Sequence, residues 1–359
     1  MTSFQGMKKH ARLFFNRAFL IVTAAVFFGV GSAYAQTNYT TVTAEKGDGI
    51  YSLLRKNKIP LHYVDEFVRL NKDVLPASRE LKAGQTYKLP LSSEKTPAPV
   101  EASPQVEQKN AESSVKYPIF GNEFGNVPIE SNELSEAVYY LVSGHGGPDP
   151  GAIARYNGKT LCEDEYAYDI TLRLARNLIM KGATVYMIIR DENDGIRNGW
   201  YLEPDKDEKC YPNLTIPINQ NKRLIQRKDA VNLLYKKNKG KYQRLLIIHV
   251  DSRSKGEKID VFFYHDSRSE GGKKLCQNLL GTFDEKYNKH QPGRGYHGSV
   301  SSRNLLVLKY SWPIASFIEL GNINHERDLK RFIVEDNRQA LANWLTEGLQ
   351  KDFRNNKSL

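Results

Sequence analysis

Residues 138–152 read VYYLVSGHGGPDPGA. Five β-prone apolar residues, Val138 to Val142, run into a glycine-rich loop around His145. A short apolar run closed by turn residues reads as a buried strand. Outward from it, apolar residues recur at helical spacing over Tyr166–Met180, and Ala183–Ile189 is a second strand after Gly182. Leu224–Tyr235 reads as a helix, Arg244–Val250 and Ile259–Tyr264 as strands, and Lys273–Tyr287 as a helix. Leu305–Lys309 and Ala315–Leu320 read as strands, and Glu335–Phe353 as a closing amphipathic helix. Strands alternating with helices predict an α/β domain over residues 118–353, a mostly parallel twisted sheet flanked by helices. Residues 118–137 receive no role from their pattern.

The chain has 359 residues, of which 40% are hydrophobic and 26% charged. That composition suits a globular core and excludes a wholly disordered chain. The length suits two domains. No collagen period, heptad run or tandem repeat is visible, which excludes fibres and solenoids. Three cysteines cannot make a disulfide-dense scaffold.

The N-terminus carries Lys8, Lys9, Arg12 and Arg17 ahead of an apolar run, Ala18 to Val30, and Ala33-Tyr34-Ala35 follows. The run is short for a bilayer, which needs about 20 residues. Basic region, apolar run and small-x-small site together predict a signal peptide over residues 1–35. Its removal takes the net charge from +11 to +7. The expected mature protein is exported to the periplasm or cell wall, with no membrane span. For an exported basic chain, nucleic acid is excluded as a partner, and anionic envelope polymers fit better.

Residues 39–90 form a small block. Thr40–Ala44 can be a strand, Lys46-Gly47-Asp48-Gly49 a turn, and Ile50, Leu53 and Leu54 start a helix. A second helix fits Val64, Phe67, Val68 and Leu70, and Thr86–Leu89 closes the block as a strand. This βααβ block resembles a LysM module. The matching residues are Lys46-Gly47-Asp48 with Ile50-Tyr51-Ser52, Leu70-Asn71, Leu81-Lys82-Ala83-Gly84-Gln85 and Leu89-Pro90. Gly49 departs from the resemblance, because that family usually has threonine or serine there. The resemblance implies glycan binding to peptidoglycan. Residues 91–117 are rich in Pro, Ser, Glu, Lys and Gln and read as a flexible linker.

In open α/β sheets, ligands collect outside the carboxyl ends of strands. His145 follows the first strand, His249 ends the Arg244–Val250 strand, and Glu319 ends the last. A glutamate inside an apolar strand is costly unless paired or coordinated. Two histidines plus a carboxylate make a zinc set with a fourth position for water. Glu163, opening the helix after the GHGG loop, is the third ligand of that set, which leaves Glu319 free as base. Asp164 and Glu165 adjoin Glu163 and are the nearest alternatives. His265, His290, His297 and His325 are placed outside the metal shell. The GHGG loop lacks the Gly-Lys-Ser/Thr ending of a phosphate loop. Ser143 makes no triad with His145, since adjacent strand residues face opposite ways.

On these residues, the region 138–353 resembles the zinc-dependent N-acetylmuramoyl-L-alanine amidases. The motifs are His145-Gly146-Gly147-Pro148-Asp149-Pro150-Gly151-Ala152, Glu163 with Leu172-Arg173-Leu174-Ala175, Gly182-Ala183-Thr184-Val185 leading to Arg190-Asp191, then Leu224, Arg227 and Asn232, His249, and Ile318-Glu319-Leu320-Gly321. The resemblance implies His145, Glu163 and His249 as zinc ligands and Glu319 as the catalytic glutamate. Arg227 and Asp251 are its candidates for substrate contact. It implies cleavage between the lactyl group of N-acetylmuramic acid and L-alanine of the stem peptide, with a protein activator as a further partner. Val142 stands where the family usually has aspartate, Val250-Asp251 where it has Ala-Asn, and residues 193–222 form a longer loop. The other reading is a non-catalytic peptidoglycan-binding or activator protein that keeps the fold. Cys162 and Cys210 are candidates for a disulfide linking the long loop to the metal loop.

Overall fold

The structure is a computed structural model that describes residues 39–46, 48–59, 63–76, 81–91, 114–253 and 260–357. The predicted signal peptide and most of the predicted linker lie outside the described residues.

The first block runs β1 (Tyr39–Thr43), α1 (Ile50–Lys56), α2 (Val64–Leu70) and β2 (Thr86–Pro90). β1 and β2 pair antiparallel, with Tyr39 opposite Pro90 and Thr43 opposite Thr86. Leu53, Leu54, Phe67, Tyr87 and Leu89 form its buried apolar cluster. Asn71 is buried beside them and clamps α2 to β2. Its amide donates to the carbonyls of Phe67 and Lys88 at 2.8 and 2.7 Å, and its oxygen accepts from the Lys88 N–H at 2.7 Å.

Residues 118–137, unassigned from sequence, fold as packing elements. β3 (Ser114–Lys116) pairs antiparallel with β4 (Asn126–Pro128) around the short turn α3 (Gly121–Phe124). Phe120, Val127 and Leu134 from this stretch are fully buried in the main core. Then follow β5 (Ala137–Ser143), the hairpin β6 (Ile153–Tyr156) and β7 (Lys159–Cys162), α4 (Glu163–Met180) and β8 (Thr184–Met187). β9 (Ile189–Arg190), just ahead of the long loop, forms a small antiparallel sheet with β10 (Lys209–Cys210) and β11 (Leu214–Thr215) inside that loop. The rest is α5 (Gln220–Lys237), β12 (Tyr242–Asp251), β13 (Phe262–His265), α6 (Glu270–His290), β14 (Ser299–Ser302), α7 (Leu306–Tyr310), β15 (Ile314–Asn322), α8 (Glu326–Ile333) and α9 (Glu335–Lys357).

The main sheet has six strands in the order β14-β13-β15-β12-β5-β8. Every neighbouring pair is parallel except β13 with β15. The α/β architecture with a mostly parallel sheet is therefore as the sequence predicts. Strand alternation splits the core into two layers. Tyr139, Leu141, Leu246, Ile248, Ile318 and Leu320 face α4, α6 and α9. Val138, Tyr140, Leu245, Ile247, Ala315 and Phe317 face α5 and α7. His249 and Glu319 continue this second set, two residues beyond Ile247 and Phe317, so both point to the α5 face.

Leu305–Lys309 corrects the sequence reading: it is the helix α7, not a strand. The four apolar residues Leu305–Leu308 fit either element, and here Val307 and Leu308 are buried against the α5 layer. Short elements without a clear period, the β6–β7 hairpin, β14 and α8, were not predicted. Cys162, Cys210 and Cys276 are all buried free thiols, so the Cys162–Cys210 link is not formed.

Candidate metal centre

β5 is buried at every residue and delivers the GHGG loop to the carboxyl edge of the sheet. The loop then turns back sharply. His145, Gly146 and Gly147 all have positive φ, of 59°, 94° and 64°. The Gly146 N–H donates to the Asp149 carbonyl at 2.8 Å and closes the turn. Two glycines are needed for room. A Cβ on Gly144 would stand 2.5 Å from Nδ1 of His249, and one on Gly151 would stand 2.7 Å from both Oε2 of Glu163 and Cδ2 of His145. The motif is thus spaced to let three side chains converge.

Those three are His145, Glu163 and His249, with one donor atom from each lying within 4.8 Å of the others. Glu163 is the first residue of α4, reached straight from the β6–β7 hairpin. Its Oε1 accepts from the Val250 N–H at 2.9 Å and lies 2.9 Å from Nδ1 of His249. Its Oε2 accepts from the Ala152 N–H at 2.9 Å and lies 3.2 Å from Nε2 of His145. The backbone bonds fix the carboxylate between the two rings, which meet edge to face at 4.9 Å. Donors on a tetrahedral zinc with bonds of about 2.0–2.1 Å stand about 3.3 Å apart. The 3.2 Å separation at His145 is close to that spacing, the 2.9 Å one at His249 is a hydrogen-bond distance to the other carboxylate oxygen, and the chemistry of the set is right for zinc.

Each of the three side chains is braced by its surroundings. Nδ1 of His145 lies 2.9 Å from Oδ2 of Asp149, which Arg223 of α5 holds at 2.5 Å. Val142, where the resembling family carries aspartate, lies in the apolar layer, and Asp149 supplies the carboxylate on the His145 ring. His249 stacks on Phe317 at 4.4 Å and 20°. Arg227 is buried, and its guanidinium donates to the His145 carbonyl, so it meets the metal loop from below. Burial pulls the Arg227 pKa down to about 10.

Charge follows burial and partners. Burial opposes protonation of His145, but Asp149 and Glu163 outweigh it and lift its pKa to about 10. Asp149 is lowered to about 2, chiefly by the His145 hydrogen bond. Burial lowers the His249 pKa, against the pull of Glu163.

Glu319 pairs in register with His249 across the parallel strands, a strand spacing of about 4.8 Å away. It is 7% exposed, and its buried Oε2 has no hydrogen-bond partner among the described residues. Burial, then the charges of Glu163 and Asp251, push its pKa well above the usual carboxylate range. Asp251 ends the same strand as His249, where Arg253 holds it at 2.8 Å. The structure thus brings His145, Glu163, His249 and Glu319 to one edge of the sheet, with Asp251 at its rim and Arg227 beneath it.

Sequence reasoning missed the support from the long loop. Glu208 is buried, and its Oε2 accepts from the Gly147 N–H at 2.6 Å. Ile216 of the same loop packs where a Gly147 Cβ would stand, at 3.0 Å. The 193–222 loop therefore buttresses the metal loop. Glu208 also gathers with Asp164 and Glu165, so those two acids turn away from the histidines. Burial raises Asp164 to about 8 and Glu208 to about 7, and Arg197 pairs with Glu165 at 2.8 Å. A local signal for Glu208 does not exist, because its partner lies 61 residues earlier in the chain.

Residues 140–351 match the family described as N-acetylmuramoyl-L-alanine amidase. Among solved structures, the chain is similar to the CwlD amidase of Clostridioides difficile, determined in complex with the GerS lipoprotein. Identity is 20% over 60% of this chain and 98% of that one, with a TM-score of 0.46. It is also similar to an N-acetylmuramoyl-L-alanine amidase of Clostridium difficile 630, at 21% identity over 62% and 98%, TM-score 0.44. The catalytic domain of CwlV from Bacillus (Paenibacillus) polymyxa var. colistinus is similar at 16% identity over 61% and 98%, TM-score 0.43. No curated protein matches.

Proposed function

The chain belongs to the N-acetylmuramoyl-L-alanine amidase family, and from that premise we propose that it is an exported, zinc-dependent peptidoglycan hydrolase. It cuts the amide between N-acetylmuramic acid and L-alanine of the stem peptide. The observation that carries this reading is one constellation: the donor atoms of His145, Glu163 and His249 within 4.8 Å, beside the unpartnered Oε2 of Glu319.

His145, Glu163 and His249 would hold zinc, which would supply a Lewis acid for the scissile carbonyl and for water, whose pKa such a metal lowers towards about 7. Glu319 acts on the protons. Its carboxylate takes one from the attacking water and returns it to the nitrogen of L-alanine as the C–N bond breaks. Burial raises the proton affinity of Glu319, and the positive charge of a bound zinc would hold it as the carboxylate until it takes that proton. Asp149 and Arg223 orient His145, while Phe317 orients His249. Arg227 holds the loop that carries His145, and Asp251 offers a carboxylate and its paired Arg253 at the rim to the substrate.

The 39–90 block is proposed as the wall-binding part, holding glycan strands while the zinc site meets stem peptides. No helix among the described residues is long and apolar enough to cross a membrane. Residues 1–35 are proposed as the export signal. A protein activator is the remaining proposed partner.

The test is stem-peptide release from purified sacculi, read by mass spectrometry, with zinc and with chelator. Peptides beginning at L-alanine, lost on chelation, establish the activity. Sacculus binding without release, in protein that carries stoichiometric zinc, overturns it in favour of a binding protein.

A further inference from the structure

Gly49 is the position where the 39–90 block departs from the module it resembles. Its backbone does not explain the glycine. Gly49 caps α1 with φ −107° and ψ 172°, an extended conformation open to any residue. Threonine or serine would cap the helix at least as well. What a side chain would have to displace is a neighbour from near the other end of the chain. A Cβ on Gly49 would stand 2.0 Å from Oδ2 of Asp336, in the first turn of α9. At the other end of α1, Arg55 and Lys56 close the helix. Arg55 reaches the same turn of α9, with Nη2 2.6 Å from Oε1 of Glu335 and 3.9 Å from Oδ1 of Asp336. All three charged side chains are at most 22% exposed. Residues from Tyr39 onward form one compact unit.

We infer that the 39–90 block is docked in cis on the start of α9, through Gly49 against Asp336 and Arg55 on Glu335, and that Gly49 is the residue that permits it. The occupant of this face of α9 is thus the chain's own N-terminal block. A single ion pair that is still partly open to solvent contributes little by itself. Covalent connection through residues 92–113 raises the local concentration to the order of millimolar, so a weak contact suffices. The same weakness makes the contact sensitive to one substituent.

The dock sits on a helix end with other work. Two residues on, Arg338 donates to the carbonyls of Arg197 and Gly199 in the long loop, at 2.8 and 2.9 Å, and pairs with Asp169 of α4 at 2.7 Å. The block therefore hangs from the element that anchors the loop carrying Glu208. Docking sets a fixed direction between the block and the metal edge of the sheet, where a free tether would not.

The experiment places spin labels on Lys72→Cys and Lys330→Cys in the full chain and measures their distance distribution by pulsed electron resonance. Both positions are exposed, and the three native cysteines are buried. The parent should give one narrow distance. Gly49→Thr, which improves the α1 cap, should broaden it and lower the docked-to-free ratio about tenfold or more. Arg55→Glu should do the same, and Arg55→Glu with Glu335→Arg should restore the narrow peak. This pair tests the dock on the surface even if Gly49→Thr disturbs the block. A broad distribution in the parent, a narrow one in Arg55→Glu, or failure of the reversed pair to restore it overturns the inference.

Discussion

The metal edge and the 39–90 block are held together by different means. His145, Glu163 and His249 are spread over residues 145–249, and each is fixed by groups from other elements: Asp149 and Arg223, two backbone N–H groups, and Phe317. The block closes Tyr39 on Pro90 with its own cluster and its own clamp, Asn71. Towards the rest of the molecule it presents, among the described residues, the ion-pairing Arg55 and the close approach at Gly49. Chemistry needs donor atoms placed to a fraction of an ångström, which only a packed sheet and its buried partners can supply. Binding a polymer needs reach and local concentration, for which a self-contained block with a weak dock is enough.

The sharpest way to separate the two regions is Glu319→Gln. The variant keeps shape and burial but cannot take a proton. Stem-peptide release should fall about 10²–10⁴-fold, while zinc content and sacculus binding stay at parental levels. Equal loss of zinc would mean that Glu319 works as a ligand, and the division of labour along this edge would fail.

Next in size is Asp149→Asn. The amide removes the negative charge from Nδ1 of His145 and weakens the hold on its ring. Second-shell losses of this kind cost about 10–100-fold in metal affinity or activity. Competitive chelator titration should show weaker zinc, and excess zinc should restore part of the turnover. Unchanged affinity would assign His145 its orientation from the backbone turn alone.

These two residues also show where the sequence is transparent. His145 and Asp149 lie in one contiguous motif, Glu163 opens a periodic helix, and His249 and Glu319 are polar ends of apolar strands. Alternation and period announce such positions because burial of an unpaired polar group is costly. The α/β order is legible for the same reason. Glu208 is opaque: it lies in a loop without period, and its meaning comes only from the Gly147 N–H. α7 is opaque because the four apolar residues Leu305–Leu308 satisfy a strand and a helix equally. Gly49 is legible as a departure but not as a cause, since Asp336 stands near the other end of the chain.

Glu208 gives a smaller effect, read as stability. Burial raises its pKa from 4.5 to about 7, so the folded state holds a proton that the unfolded chain releases. Its contribution is therefore greatest below pH 4.5 and is lost as pH rises through 7. Glu208→Gln keeps an acceptor for the Gly147 N–H and has no charge to desolvate. At pH 8 it should melt about 2–4 °C above the parent, and the two curves should converge below pH 5. A constant gap across that range would show that Glu208 matters by shape alone.

The smallest effect on chemistry comes from the block itself. Asn71→Ala removes the two side-chain hydrogen bonds that join the end of α2 to Lys88 of β2, and a third to the Phe67 carbonyl of α2, and leaves the Lys88 N–H and carbonyl without that partner. Each orphaned buried group costs about 1–3 kcal/mol, which a block of this size cannot spare. The apolar cluster of the block is separate from both layers of the main core. Distant sites with no shared partners add independently. Turnover of a soluble muramoyl peptide should therefore change by less than about twofold, while retention on sacculi is lost. A matching fall in soluble turnover would mean that the dock on α9 carries the loss of the block through to the metal loop, and the two regions would have to be treated as one.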